Sequence, residues 1–93
     1  MNQFRALISR TAQNAYDETD EKTRKRIRKG IDALQADPFH NRSGADIKKL
    51  HTIAEPPFYR LRVGDWRVIY AVIGKEVKIT EIINRNKGYA WLE

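Results

Sequence analysis

The chain contains no cysteine, so it can form neither a disulfide nor a thiolate metal site. Histidine is scarce: His40 and His51 are the two in 93 residues, too few and too isolated for a structural zinc centre. The expectation is a protein that uses no metal and no small-molecule cofactor. No run of the sequence approaches the roughly 20 consecutive apolar residues of a membrane-spanning helix. The opening residues, MNQFRALIS, lack the charged-then-apolar layout of a secretory signal. Together these absences argue against a disulfide-stapled secreted domain or a membrane partner, and favour the cytoplasm.

Ninety-three residues suit one domain, 1–93, with one modest core. A chain of this size buries about 60–65% of its extended surface. The net charge is +6 and the pI is near 9.8. Such a balance suits a polyanionic partner, nucleic acid or an acidic protein, although many small soluble proteins are basic without one. Mean hydropathy is −0.69, yet the apolar residues fall in periodic blocks, as in a folded domain.

The most informative stretch runs from Phe58 to Ile83, FYRLRVGDWRVIYAVIGKEVKITEII. Gly64-Asp65 separates two runs rich in β-branched and aromatic residues, a short hairpin signal. With those residues as the loop, Val63 pairs with Trp66, Arg62 with Arg67, Leu61 with Val68 and Tyr59 with Tyr70. Side chains alternate along a strand. One hairpin face then carries Tyr59, Leu61, Val63, Trp66, Val68, Tyr70 and Val72. The other carries Arg60, Arg62 and Arg67, followed by Ile69, Ala71 and Ile73. Like charges directly opposite destabilise a sheet by some tenths to about 1 kcal/mol. Their retention implies an anion set against them.

Elsewhere, Gln3 to Ser9 alternates Phe4, Ala6 and Ile8 against Arg5 and Leu7, as a first strand would. A short helix is expected from Arg10 to Asp17. A second begins at the N-cap Asp20 and runs to about Ala36, with Ile27, Ile31 and Leu34 as its buried stripe. Gly30 inside that helix costs roughly 1 kcal/mol against Ala unless close packing requires it. Asp37-Pro38 ends it. HNRSGAD is loop chemistry, Ile47 to His51 a short strand or extended lead-in, and Glu55-Pro56-Pro57 a stiff entry to the hairpin. Val77 to Ile83 is a further strand, with Val77, Ile79 and Ile83 on one face and Ile82 on the other. The economical fold is α+β: two N-terminal helices packed on one face of a small, mainly antiparallel sheet.

These residues resemble the RelE/ParE toxin superfamily of toxin–antitoxin systems. The resemblance is carried by YRLRVGDWRVIYAV (Tyr59 to Val72), by Lys48-Lys49-Leu50 before it, and by Asn84-Arg85 with Tyr89 after it. It implies a RelE-like fold and a cognate antitoxin as partner. It further implies a metal-independent endoribonuclease that cuts mRNA in the ribosomal A site. The 2'-hydroxyl attacks the adjacent phosphate and leaves a 2',3'-cyclic phosphate, so translation stops. ParE-like relatives share the fold and instead inhibit DNA gyrase. A catalytically silent RNA- or antitoxin-binding member is a third reading.

By the same resemblance, the site is built from Arg60, Arg62, Arg67, Arg85 and Tyr89. Arginine grips phosphate oxygens with a planar, permanently charged fork. Arg62 and Arg67 would hold the non-bridging oxygens, and Arg60 would extend the site. Tyr89 would orient or deprotonate the nucleophile, or else pack on the sheet. Lys48 and Lys49 would contact the RNA backbone. Trp91 would stack on a base or pack on an antitoxin. Arg60 and Arg62 read alternatively as a solvated hairpin face, and the Lys22 to Lys29 run either lies against ribosomal RNA or is a solvated helix face. Many relatives have His where this chain has Asn84, which cannot exchange a proton at neutral pH. His51 is a substitute and His40 a weaker one. Arg67→Ala is expected to lower cleavage by orders of magnitude and leave the fold intact.

Overall fold

The structure, a computed structural model, describes residues 3–51 and 55–85. Its elements in chain order are β1 (Arg5–Ile8), α1 (Arg10–Asp17), α2 (Glu21–Ala36), β2 (Asp46–Lys49), β3 (Phe58–Val63), β4 (Trp66–Ile73) and β5 (Glu76–Asn84). The five strands lie in the order β1-β5-β4-β3-β2. Neighbours are antiparallel except β1, which runs parallel to β5 with Ala6 opposite Val77. Both helices pack on one face of this sheet, the expected α+β arrangement.

Local chemistry explains the helix boundaries. Ser9 caps α1: its Oγ accepts from the Ala12 N–H at 3.1 Å and donates to the Thr80 carbonyl at 2.8 Å. Asp20 caps α2 by accepting the Thr23 N–H at 2.7 Å. The Thr23 side chain, followed by its N–H, favours the ionised form and holds the Asp20 carboxyl below the ordinary carboxylate range. At the far end of α2, Arg42 donates to the carbonyls of Ala33 at 2.9 Å and Asp37 at 3.0 Å. A cation there satisfies groups that a helix C-terminus leaves without partners.

The core lies between the helices and the sheet. Ile27 and Leu34 of α2 are fully buried against Leu61, Val68, Tyr70, Val77 and Ile79. Each such side chain is worth about 1.5–3 kcal/mol of transfer free energy. Gly30 faces β3, where an added Cβ would stand 2.8 Å from Leu61 Cδ2 and 3.2 Å from Val63 Cγ2. Close approach of helix to strand is therefore what requires glycine. The β3–β4 hairpin has the expected register, Val63↔Trp66 through Tyr59↔Tyr70. Gly64 at its turn has φ +59°, a conformation that disfavours side chains with a Cβ.

The last strand differs from expectation. The β4–β5 register shifts between Ile69 and Tyr70, which face Glu81 and Ile79, leaving Thr80 as the extra residue of a bulge. The bulge turns Ile82 into the core beside Val77 and Ile79, and puts Ile83 on the opposite face beside Arg67. Strict alternation cannot bury both Ile79 and Ile82 on one face, and the core demands both. β1 and β2 are also slightly displaced from the stretches expected, starting at Arg5 and Asp46.

Candidate functional site

The helix-free face of the sheet is basic at the β3–β4 turn end. Register places Arg62 opposite Arg67 across the hairpin and Lys48 opposite Arg60 across β2 and β3. Arg67 in turn neighbours Ile83 on β5. Arg85 follows two residues after Ile83. Its backbone N–H donates to the Asp65 carbonyl at 2.8 Å, and its guanidinium lies 3.6 Å from the Asp65 carboxylate. Arg62, Arg67 and Arg85 thus all lie near one turn. Beside them is a small apolar cluster of Leu50, Ile69, Phe58 and Ile83.

The individual environments differ. Arg67 sits on the central strand and is 6% exposed. Its guanidinium makes long contacts of 3.4 and 3.3 Å to the Gly64 and Trp66 carbonyls. Truncation to Ala would therefore remove buried packing as well as charge, and is expected to destabilise the fold rather than leave it intact. Arg60 is also largely covered, its side chain 12% exposed, and donates to the Asp46 carboxylate at 3.0 Å and carbonyl at 3.1 Å. The anion set against Arg60 is thus a carboxylate of the chain itself. Arg62 is exposed, and lines a groove at the sheet edge. Arg85 is more than half exposed.

The Lys48-Lys49 pair is split by alternation. Lys48 shares the arginine face, and Lys49, opposite Tyr59, belongs to the other. Asn84 pairs with Trp66 and lies near Ala15 and Glu18. Asn84 thus has its register partner on the helix-covered face. His51 is exposed at the end of β2. His40 is exposed and its Nδ1 lies 2.8 Å from Asp37 Oδ2. Backbone N–H donation from Phe39, with the His40 contact, holds the Asp37 carboxyl below its ordinary range. Tyr89 and Trp91 lie outside the described residues. Among the described residues no three His, Asp or Glu side chains gather as a metal site would need.

Two features were missed by reading the sequence. Asp46, the counterion of Arg60, sits in loop-like GAD, and only the β2–β3 register reveals it. Arg26, Lys29 and Arg42 join Arg62 around the edge groove. The i,i+3 spacing of Arg26 and Lys29 was legible, but not what it faced.

The chain is similar in structure to a chain of the archaeal RelE–RelB complex from Pyrococcus horikoshii OT3. Identity is 28%, the match covers 92% of this chain and 99% of that one, and the TM-score is 0.76. It is likewise similar to a chain of the RelB–RelE antitoxin–toxin complex from Methanococcus jannaschii, at 25% identity over 94% and 99%, TM-score 0.73. The YoeB dimer from Staphylococcus aureus shares the fold at 19% identity over 85% and 93%, TM-score 0.68. No curated protein sequence matches this chain. The fold is therefore that of the RelE/ParE superfamily. The model of the ParE toxin of type II toxin–antitoxin systems matches residues 1–89, and the chain belongs to that toxin family.

Proposed function

We propose that this toxin is a RelE-like, metal-independent endoribonuclease that cuts mRNA on the ribosome, working in the cytoplasm and restrained by a cognate antitoxin. The observation that carries the reading is the Arg62–Arg67 pair on the helix-free face, with Lys48, Arg60 and Arg85 around it. The reaction needs charge stabilisation on a pentavalent phosphorane, and preorganised cations supply it. The 2'-hydroxyl passes its proton to solvent as its oxygen bonds to the adjacent phosphorus. The P–O5' bond breaks and the departing oxygen takes a proton from solvent, leaving a 2',3'-cyclic phosphate and a 5'-hydroxyl. Arg67, buried and held near the hairpin carbonyls, is the preorganised cation of the set. Arg85 and Arg62, more exposed, reach the phosphate oxygens. Tyr89 acts on the nucleophile. The RelB partners in the two archaeal complexes support an antitoxin partner here.

The test is primer extension on an mRNA translated in a cell-free system, comparing wild type with Arg85→Ala. Wild type should yield new cuts at codons on translating ribosomes. Arg85→Ala, an exposed substitution, should lower the cutting rate by about 10²–10³-fold, the effect of removing one transition-state donor. Undiminished translation with no cuts refutes the reading. The match to a ParE family model then favours gyrase, and inhibition of supercoiling without ribosomes becomes the deciding assay.

A further inference from the structure

The edge groove has a volume of about 420 Å³ and is lined by Arg26, Lys29, Arg42, Arg62 and Asp46 among others. The single carboxylate in this set, Asp46, is already engaged by Arg60 at 3.0 Å. The groove is therefore strongly positive. Arg42 is fixed there by its bonds to the carbonyls of Ala33, Asp37 and His40. The Arg26 guanidinium lies over the hairpin turn, with its nitrogens 3.1 and 3.2 Å from where a Cβ on Gly64 would stand. Lys29, three residues on, presents its charge from the same side of α2. Arg62 belongs both to this groove and to the hairpin's arginine pair.

From this arrangement we infer that the groove holds the phosphodiester backbone of a single RNA strand and leads it to the Arg62–Arg67 pair. The inference rests on the endonuclease reading and adds a binding tract to it. An acidic protein segment fits less well. Protein partners anchor through buried apolar side chains. In this groove Leu61 is 1% exposed and Ala45 2% exposed, Gly30 has no side chain, and half-buried Val63 offers little more. The Arg26 and Arg62 forks with Lys29 around a basic groove match repeated phosphates instead, and Arg42 adds its charge.

The experiment measures binding of a labelled oligouridylate by fluorescence anisotropy across a salt series, for wild type and Arg26→Gln/Lys29→Gln. Losing two phosphate contacts should make the log K against log salt slope shallower by about 1.4, and weaken binding roughly 14-fold at 0.15 M salt. Lys29→Gln alone should give about half the slope change. Equal affinity and slope in wild type and the double variant overturns the groove assignment, even where wild type cuts mRNA on ribosomes. A larger loss of affinity for a polyglutamate peptide than for the RNA overturns it in favour of an acidic protein. Lost RNA affinity in the variant, with wild type cutting nothing on ribosomes, supports the groove while removing the endonuclease reading.

Discussion

Gly30→Ala sets two physical rules against each other. Within a helix, alanine is favoured over glycine by about 1 kcal/mol. Against this, the new methyl carbon would lie 2.8 Å from Leu61 Cδ2 and 3.2 Å from Val63 Cγ2. Leu61 has no free side to move toward, because it is 1% exposed and packed among the core residues. Overpacking of this kind costs about 1–3 kcal/mol. The expected net effect is destabilisation by about 1 kcal/mol, measured as a lower urea midpoint at unchanged slope. A double-mutant cycle with Leu61→Ala isolates the cause. Leu61→Ala alone should cost about 2–5 kcal/mol. Combined with Gly30→Ala the cost should fall by at least about 1 kcal/mol, because the methyl then occupies space the leucine vacated. Stabilisation by Gly30→Ala, or additivity within about 0.5 kcal/mol, would refute the claim that close approach of α2 to β3 requires glycine.

Tyr70 donates its hydroxyl to the Pro38 carbonyl at 2.7 Å, and burial followed by the neighbouring Tyr59 raises its pKa well above the ordinary phenol value. The folded state therefore holds the proton that the unfolded chain releases near pH 10, so this contribution is complete below about pH 10 and is lost as pH rises toward the folded value, by up to about 1.4 kcal/mol per pH unit. Tyr70→Phe should cost about 1–3 kcal/mol at pH 8 by leaving a buried carbonyl without its donor, and should lose less stability than wild type between pH 10 and 11 in urea titrations at each pH. Ser9→Ala removes both the α1 cap and the bond to Thr80, and should lower unfolding free energy by about 1–2 kcal/mol, with Ser9→Thr largely restoring it; an Ala variant within about 0.5 kcal/mol of wild type in the same urea assay would show that the bulge is not anchored by this hydroxyl.

Local rules made much of this fold legible before any coordinates. The Gly64-Asp65 turn admits essentially one pairing of its flanking strands, so Arg62 opposite Arg67 followed from sequence spacing alone. The Asp20 cap and the Ile27, Ile31 and Leu34 stripe likewise are near-neighbour facts, each set within a few residues. The resemblance to RelE/ParE toxins rested on the hairpin stretch with Lys48-Lys49-Leu50 before it and Asn84-Arg85 and Tyr89 after it, and the fold and family agree with it. Period-two reasoning failed at Thr80, because a bulge arises from competition between the β4–β5 ladder and a core that needs Ile79 and Ile82 together.

Near-neighbour chemistry therefore set the local part: the hairpin and its register, the two helices with the Asp20 cap of the second, the buried stripe, and the family resemblance. The tertiary structure alone decided how distant segments share space. It set β1 parallel against β5, brought Asp46 to Arg60, and pressed Gly30 onto Leu61. It also separated three arginines that look equivalent in the sequence. Arg67 is buried on the central strand, Arg60 is held by a carboxylate, and Arg62 is exposed beside a groove that α2 also lines. Charge and spacing are properties of neighbouring residues, whereas solvation and counterions depend on whichever segments the fold packs alongside.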